Sequence, residues 1–86
     1  MRKIVGILRP FDLKQQFYVY EDGNKIDSEE VTIDEIPTMT LKLADKYEIV
    51  RVDLTGPRQY AKGIRKKIQE QEITTYSTKK LEINIV

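Results

Sequence analysis

Arg58, Lys62, Arg65 and Lys66 recur at three- and four-residue intervals, the spacing that gathers side chains on one side of an α-helix. A basic face of this kind neutralises phosphates, and its binding is steeply salt-dependent. The same pattern serves equally as a solvated helix face, and Glu70 and Glu72 dilute it. Just upstream, Gly56–Gln59 starts the helix and brings free N–H groups, the helix dipole and Arg58 together as a candidate anion site. Every exposed helix start offers the first two, so a plain strand-to-helix turn also explains these residues. Thr55-Gly56-Pro57 is not a phosphate-binding loop of the GxxxxGK[ST] type. A second group is Tyr18 and Tyr20 with Arg51 and Asp53. Two tyrosines on one strand near an arginine can stack bases, or they can be amphipathic cover on a half-exposed sheet face.

Composition narrows the chemistry further. The 86 residues contain neither cysteine nor histidine, which removes thiolate chemistry, disulfides and the commonest general base and zinc ligand. No catalytic residue, metal ligand set or cofactor motif is assigned. A net charge of +1 gives no global attraction to nucleic acid, so any such binding must come from a local patch. The length fits one domain, residues 1–86, burying roughly 60–65% of its unfolded surface. Ile4–Leu8 is far too short to cross a membrane, nothing resembles a signal peptide, and a reducing cytoplasmic setting is expected. Lysine outnumbers arginine and isoleucine is abundant, as in an AT-rich genome such as that of a low-GC bacterium or its phage.

The elements that position these residues follow from periodicity. Lys3–Arg9 predicts a first strand, stopped by Pro10. Gln15–Glu21 alternates Phe17 and Val19 against Tyr18 and Tyr20, a second strand, and Asp22-Gly23-Asn24 signals a tight hairpin turn. Lys25–Thr32 returns as a third strand, with a bulge or exposed edge expected at Ser28-Glu29-Glu30. A helix then opens at Asp34-Glu35-Ile36-Pro37; Thr32 and Glu35 have capping-box spacing, but Pro37 favours Asp34 as the cap. Its inward stripe is Ile36, Met39, Thr40, Leu43 and Tyr47, with Ala44 at the margin and Leu41 outside it.

Ile49, Val50, Val52 and Leu54 make the central apolar strand, which Arg51 and Asp53 interrupt so that one face is drier. Pro57 suits the first position of the second helix, with Thr55 or Gly56 as its cap. Tyr60, Ala61, Ile64 and Ile68 form that helix's apolar stripe, and Gly63 inside it either allows close packing or is incidental. Glu72–Tyr76 reads as a short strand, Ser77–Lys80 as a turn and Leu81–Val86 as a final strand.

The resulting order, β-β-β-α-β-α-β(-β), is of α/β class with a mixed sheet and resembles the ribonuclease H-like fold at its minimal core. A ferredoxin-like or other α+β sandwich is the alternative. The resemblance implies a sheet of spatial order 3-2-1-4-5, and right-handed crossovers then place both helices on one face. Nothing in the sequence supplies a helix for the other face, where Tyr18 and Tyr20 join Arg51, Asp53 and one apolar set of the first strand. Enzymes of this group hold metal ions with an Asp in the first strand and acids on the first helix or fourth strand. Asp53 matches the last of these and Glu35 stands near another, but Ile4-Val5-Gly6-Ile7-Leu8 carries no acid and Asp12 lies beyond Pro10. Related sugar-kinase and actin-like proteins need a Gly-rich hairpin after the first strand, which is absent.

The leading expectation is therefore a small non-catalytic interaction protein, acting through protein–protein or self-association at Tyr18, Tyr20, Arg51 and Asp53. A nucleic-acid-binding module using Arg58, Lys62, Arg65 and Lys66 comes second, and a degenerate metal-dependent nuclease third. No cofactor and no membrane partner are expected.

Overall fold

In the computed structural model, which describes residues 1–74 and 80–86, five strands form one mixed sheet. They are β1 (Arg2–Ile7), β2 (Lys14–Glu21), β3 (Asn24–Thr32), β4 (Arg51–Thr55) and β5 (Glu82–Ile85). Their spatial order is β3-β2-β1-β4-β5, the 3-2-1-4-5 order that the resemblance implies. The first three strands pair antiparallel, whereas β4 pairs parallel to both β1 and β5. Two helices, α1 (Ile36–Tyr47) and α2 (Arg58–Thr74), connect β3 to β4 and β4 to β5. Both lie on one face and pack on each other, α1 over β1 and β3 and α2 over β5.

Alternation decides which side chains meet those helices. Ile4, Leu8, Phe17, Val19, Val52, Leu54 and Ile83 point toward them and are buried, joined by Ile36, Leu43, Ile64 and Ile68 from the helices. Gln15 also points inward and is only 1% exposed. Its Nε2 donates to the carbonyls of Arg9 (2.9 Å) and Asp12 (3.0 Å), and its Oε1 accepts the Arg9 N–H. One buried amide thus fixes the whole β1–β2 loop, satisfying itself and the loop backbone together.

The turns follow local chemistry. Asp22 and Gly23 both have positive φ, 50° and 85°, as a two-residue type I′ hairpin turn requires. The helix α1 ends on Glu48 at φ 54°; the Ile49 N–H reaches the Ala44 carbonyl at 2.8 Å and the Glu48 N–H reaches Asp45 at 3.4 Å. That is a Schellman closure, with Ile49 buried beyond it.

Several expectations are corrected. The third strand's irregularity falls at Ile26, between the pairs Tyr20–Lys25 and Val19–Asp27, not at Ser28–Glu30, although β3 is an edge strand as anticipated. A 3-10 turn, Ile33–Glu35, precedes α1, and Thr32 rather than Asp34 caps it: the Glu35 carboxylate accepts the Thr32 hydroxyl at 2.7 Å and its N–H at 3.3 Å. Leu41 is half-buried against the core instead of standing clear of it. The segment Glu72–Thr74 is helical, because the buried side of α2 continues one turn past Ile68 to Glu72, whose carboxylate accepts the Leu81 N–H at 2.9 Å. The rest of the predicted short strand and most of the following turn, residues 75–79, lie outside the described residues.

Gly63 faces open space: a Cβ at this position would have no neighbouring atom within 4 Å, so close packing does not require the glycine. Ile64 beside it is 3% exposed. Adjacent substitutions should therefore act with opposite sign: Gly63→Ala should raise the free energy of unfolding by about 0.5–1 kcal/mol, and Ile64→Ala should lower it by about 2–5 kcal/mol. Denaturant unfolding of the two variants is the check, and equal shifts would contradict this orientation of α2.

Candidate functional site

Opposite the helices, register fixes a second set of neighbours. Val5 lies between Tyr18 on β2 and Asp53 on β4; Ile7 lies between Gln16 and Thr55; Lys3 faces Tyr20. Toward the edges, Tyr18 pairs with Ser28, Gln16 with Glu30, and Asp53 with Asn84. Tyr18, Tyr20, Arg51 and Asp53 thus share one face with Val5 and Ile7, and all but Asp53 are half-buried. Among the described residues no helix covers this face.

The aromatic part is built on β2. The Tyr18 and Tyr20 rings meet edge-to-face with centroids 6.3 Å apart, a favourable geometry. The Lys25 ammonium lies 4.9 Å from the Tyr18 ring centroid. This arrangement covers the tyrosine faces with a cation and with each other rather than presenting two parallel stacking surfaces.

The polar part is built around Asp53. Although it lies on the uncovered side, it is only 4% exposed, because long side chains fold over it. Arg51 donates through Nε (3.2 Å) and Nη2 (3.4 Å), Lys3 through Nζ (3.3 Å), and Asn84 through Nδ2 (3.3 Å). Burial works against the charged carboxylate, but the Arg51, Lys3 and Asn84 donors outweigh it and hold its pKa below the ordinary Asp value. The group is therefore an ionised carboxylate held at neutral pH beneath two cations and an amide.

The acids do not assemble as a metal-dependent nuclease would need. Glu35 is held in the cap at the start of α1, on the helix layer, while Asp53 faces the other side of the sheet. No three acidic side chains among the described residues gather closely enough to hold a metal ion.

The basic residues lie elsewhere. Arg58, Lys62 and Lys66 are exposed and Arg65 half-buried on α2. The turn before them is closed tightly: the Leu8 N–H donates to the Thr55 carbonyl at 2.7 Å, and a Cβ on Gly56 would stand 2.8 Å from the Leu8 carbonyl oxygen. This contact lies at the ends of β1 and β4, where parallel sheets bind ligands, and draws the two chain segments together there. The Pro57 carbonyl accepts the first bond of α2, from Ala61, at 2.9 Å, which puts Pro57 one position earlier than expected.

Sequence reasoning missed the β1–β2 loop. Phe11 is 101% exposed and Leu13 88%, on the segment that Gln15 pins. Their alternation with Gln15, Phe17 and Val19 would have placed them under the helices, but pairing of β2 with β3 begins only at Lys14–Thr32. The one sequence signal was an aromatic directly after a strand-stopping proline.

No helix among the described residues is long and apolar enough to cross a membrane. No protein-family model matches the chain, and no curated protein does.

Because Asp53 has a lowered pKa in the fold, its contribution to stability is complete above its ordinary value of 3.8 and is lost as pH falls through the lower folded value. Asp53→Asn should destabilise by about 1–3 kcal/mol at pH 7, and the difference from wild type should shrink as pH drops below about 4. Urea unfolding of both proteins across pH 2–7 checks this on the order of these ordinary carboxylate values. A difference that stays constant with pH would show that the cluster is not ionic.

Proposed function

We infer that this chain is a small, non-catalytic, cytoplasmic protein on a ribonuclease H-like scaffold, and that it acts by pairing its helix-free sheet face with a second copy of itself. The scaffold reading rests on the strand order, and the non-catalytic reading on a first strand that carries no metal-binding acid.

The observation that carries the association is the character of the helix-free face: Val5, Ile7, Tyr18 and Tyr20 are contiguous across β1 and β2, with the Asp53 cluster alongside. An apolar and aromatic centre beside satisfied polar groups is the composition of interfaces. The molecule measures 31 × 30 × 19 Å, and its thin axis suits a sheet carrying one helix layer. A broad face of this size can supply the ~800 Å² per partner of a specific interface. The identity of the partner is argued from charge. Lys3 and Arg51 share the Asp53 carboxylate, and Glu82 stands opposite Arg51 on β5, so the face carries both signs and no strong field of one sign that would select a charged macromolecule. A surface carrying both signs is self-complementary about a two-fold axis.

Light scattering over a concentration series tests the reading, with circular dichroism confirming that variants are folded. Wild type should move from monomer to dimer as concentration rises. Tyr18→Glu combined with Tyr20→Glu should weaken the dimer at least 100-fold, about 2.7 kcal/mol, without loss of secondary structure. A wild-type monomer at every concentration, or a dimer indifferent to the double substitution, would contradict it.

A further inference from the structure

The cations of this protein are unevenly neutralised. On the sheet and its loops, Arg2, Lys3, Arg9, Lys14 and Arg51 each pair with a carboxylate, as Lys46 does on α1, whereas Lys25, over the Tyr18 ring, and Lys42 on α1 are single cations without a carboxylate partner among the described residues. On α2, none of Arg58, Lys62, Arg65, Lys66 and Lys67 forms an ion pair with a described residue, and residues 58–69 contain no acid. Glu72, further along, turns inward to the Leu81 N–H. The free cations are also sorted by side. Lys67 lines a depression with Pro37 of α1, together with Glu70, Gln71 and Thr74. Arg58, Lys62, Arg65 and Lys66 fall within about 100° of helix circumference on the opposite flank, facing away from α1. Along the axis Arg58 and Lys66 are about 12 Å apart.

An independent feature lies at the end of the sheet where this flank begins. The β1–β2 loop and the start of α2 follow the parallel ends of β1 and β4 and touch through Leu8 and Gly56. That loop holds Phe11 and Leu13 fully in solvent, and its backbone is immobilised by Gln15 and by the Asp12 N–H to Arg9 carbonyl bond of 3.1 Å. The loop and the start of α2 thus lie at the same end of the sheet, and a preorganised, solvent-exposed aromatic together with a run of unpaired cations is the combination used for single strands, with bases stacked on the ring and phosphates on the cations.

We propose that the outer flank of α2 and the β1–β2 loop together bind single-stranded nucleic acid without sequence preference, phosphates on Arg58, Lys62, Arg65 and Lys66 and a base on Phe11. This site is separate from the helix-free face, so a dimer formed through that face carries two copies of it, directed outward. Duplex is disfavoured because its bases are not free to reach Phe11.

Fluorescence anisotropy of a labelled oligothymidylate of about 16 nucleotides is the test, against a duplex of equal length and against polyglutamate as competitor. The single strand should bind more tightly than the duplex, with log Kobs falling against log salt at a slope of about −3, as four phosphate contacts require. Lys62→Ala with Lys66→Ala should roughly halve that slope. Phe11→Ala should weaken binding about tenfold and leave the slope unchanged. The Tyr18→Glu, Tyr20→Glu protein should still bind, which separates this site from the association face. Absence of binding at about 50 mM salt, equal affinity for duplex, an unaffected Phe11→Ala variant, or competition by polyglutamate as effective as by unlabelled strand would overturn the proposal.

Discussion

The ring of Phe17 occupies the space that a side chain at position 6 would fill. A Cβ on Gly6 would stand 2.7 Å from that ring and 3.0 Å from Leu54, closer than packed atoms tolerate. The middle of the central strand must therefore be bare on its helix side, and the aromatic of β2 leans across it toward β4. This one overlap joins the antiparallel half of the sheet to the parallel half, since Gly6 pairs with Phe17 on one side and Leu54 on the other. With the ring so placed, Ile4 and Leu8 flank it along β1, and α1 and α2 close over a core that already spans both halves. The interior is close-packed at this point, and the crossing of the sheet is fixed there.

The other face is stabilised differently. It has no second layer, so its residues shield one another: tyrosines edge to face, a lysine over a ring, and an aspartate beneath an arginine, a lysine and an asparagine. Asp53 illustrates the cost and its compensation. A carboxylate loses hydration when covered, and only its several donors make that state tolerable. Such a cluster contributes specificity of register, because a slip of β5 or β1 against β4 would separate Asn84 or Lys3 from the charge. A face this well ordered and only half-solvated is the surface that the proposed self-association would use.

Much of this is legible from residues alone. Alternation in Phe17–Tyr20, the Asp22-Gly23 turn and the stripe Ala61–Ile64–Ile68 each encode one local structure, whereas the strand order is reached only through a resemblance in the order of elements. The features that sequence could not supply depend on distant partners. The burial of Asp53 needs Lys3 and Asn84, remote along the chain but adjacent in the sheet. Gln15 looks like an ordinary strand residue until the loop it holds is seen. The last turn of α2 reads as strand because Ile73 and Thr74 are β-branched, and their propensity conceals the helical placement of Glu72. Gly63 carries no packing message, whereas Gly6 does, and nothing in their immediate neighbours distinguishes the two.

Methyl-resolved NMR as a function of protein concentration reports most directly on whether the helix-free face is the contact surface. Association through this face predicts that the methyl resonances of Val5 and Ile7 move or broaden as concentration rises, while those of Ile4, Val52 and Leu54, on the helix side of β1 and β4, stay fixed. Methyls that shift instead at Leu13, Ile73 or Ile26, or a spectrum that does not change with concentration, would contradict it.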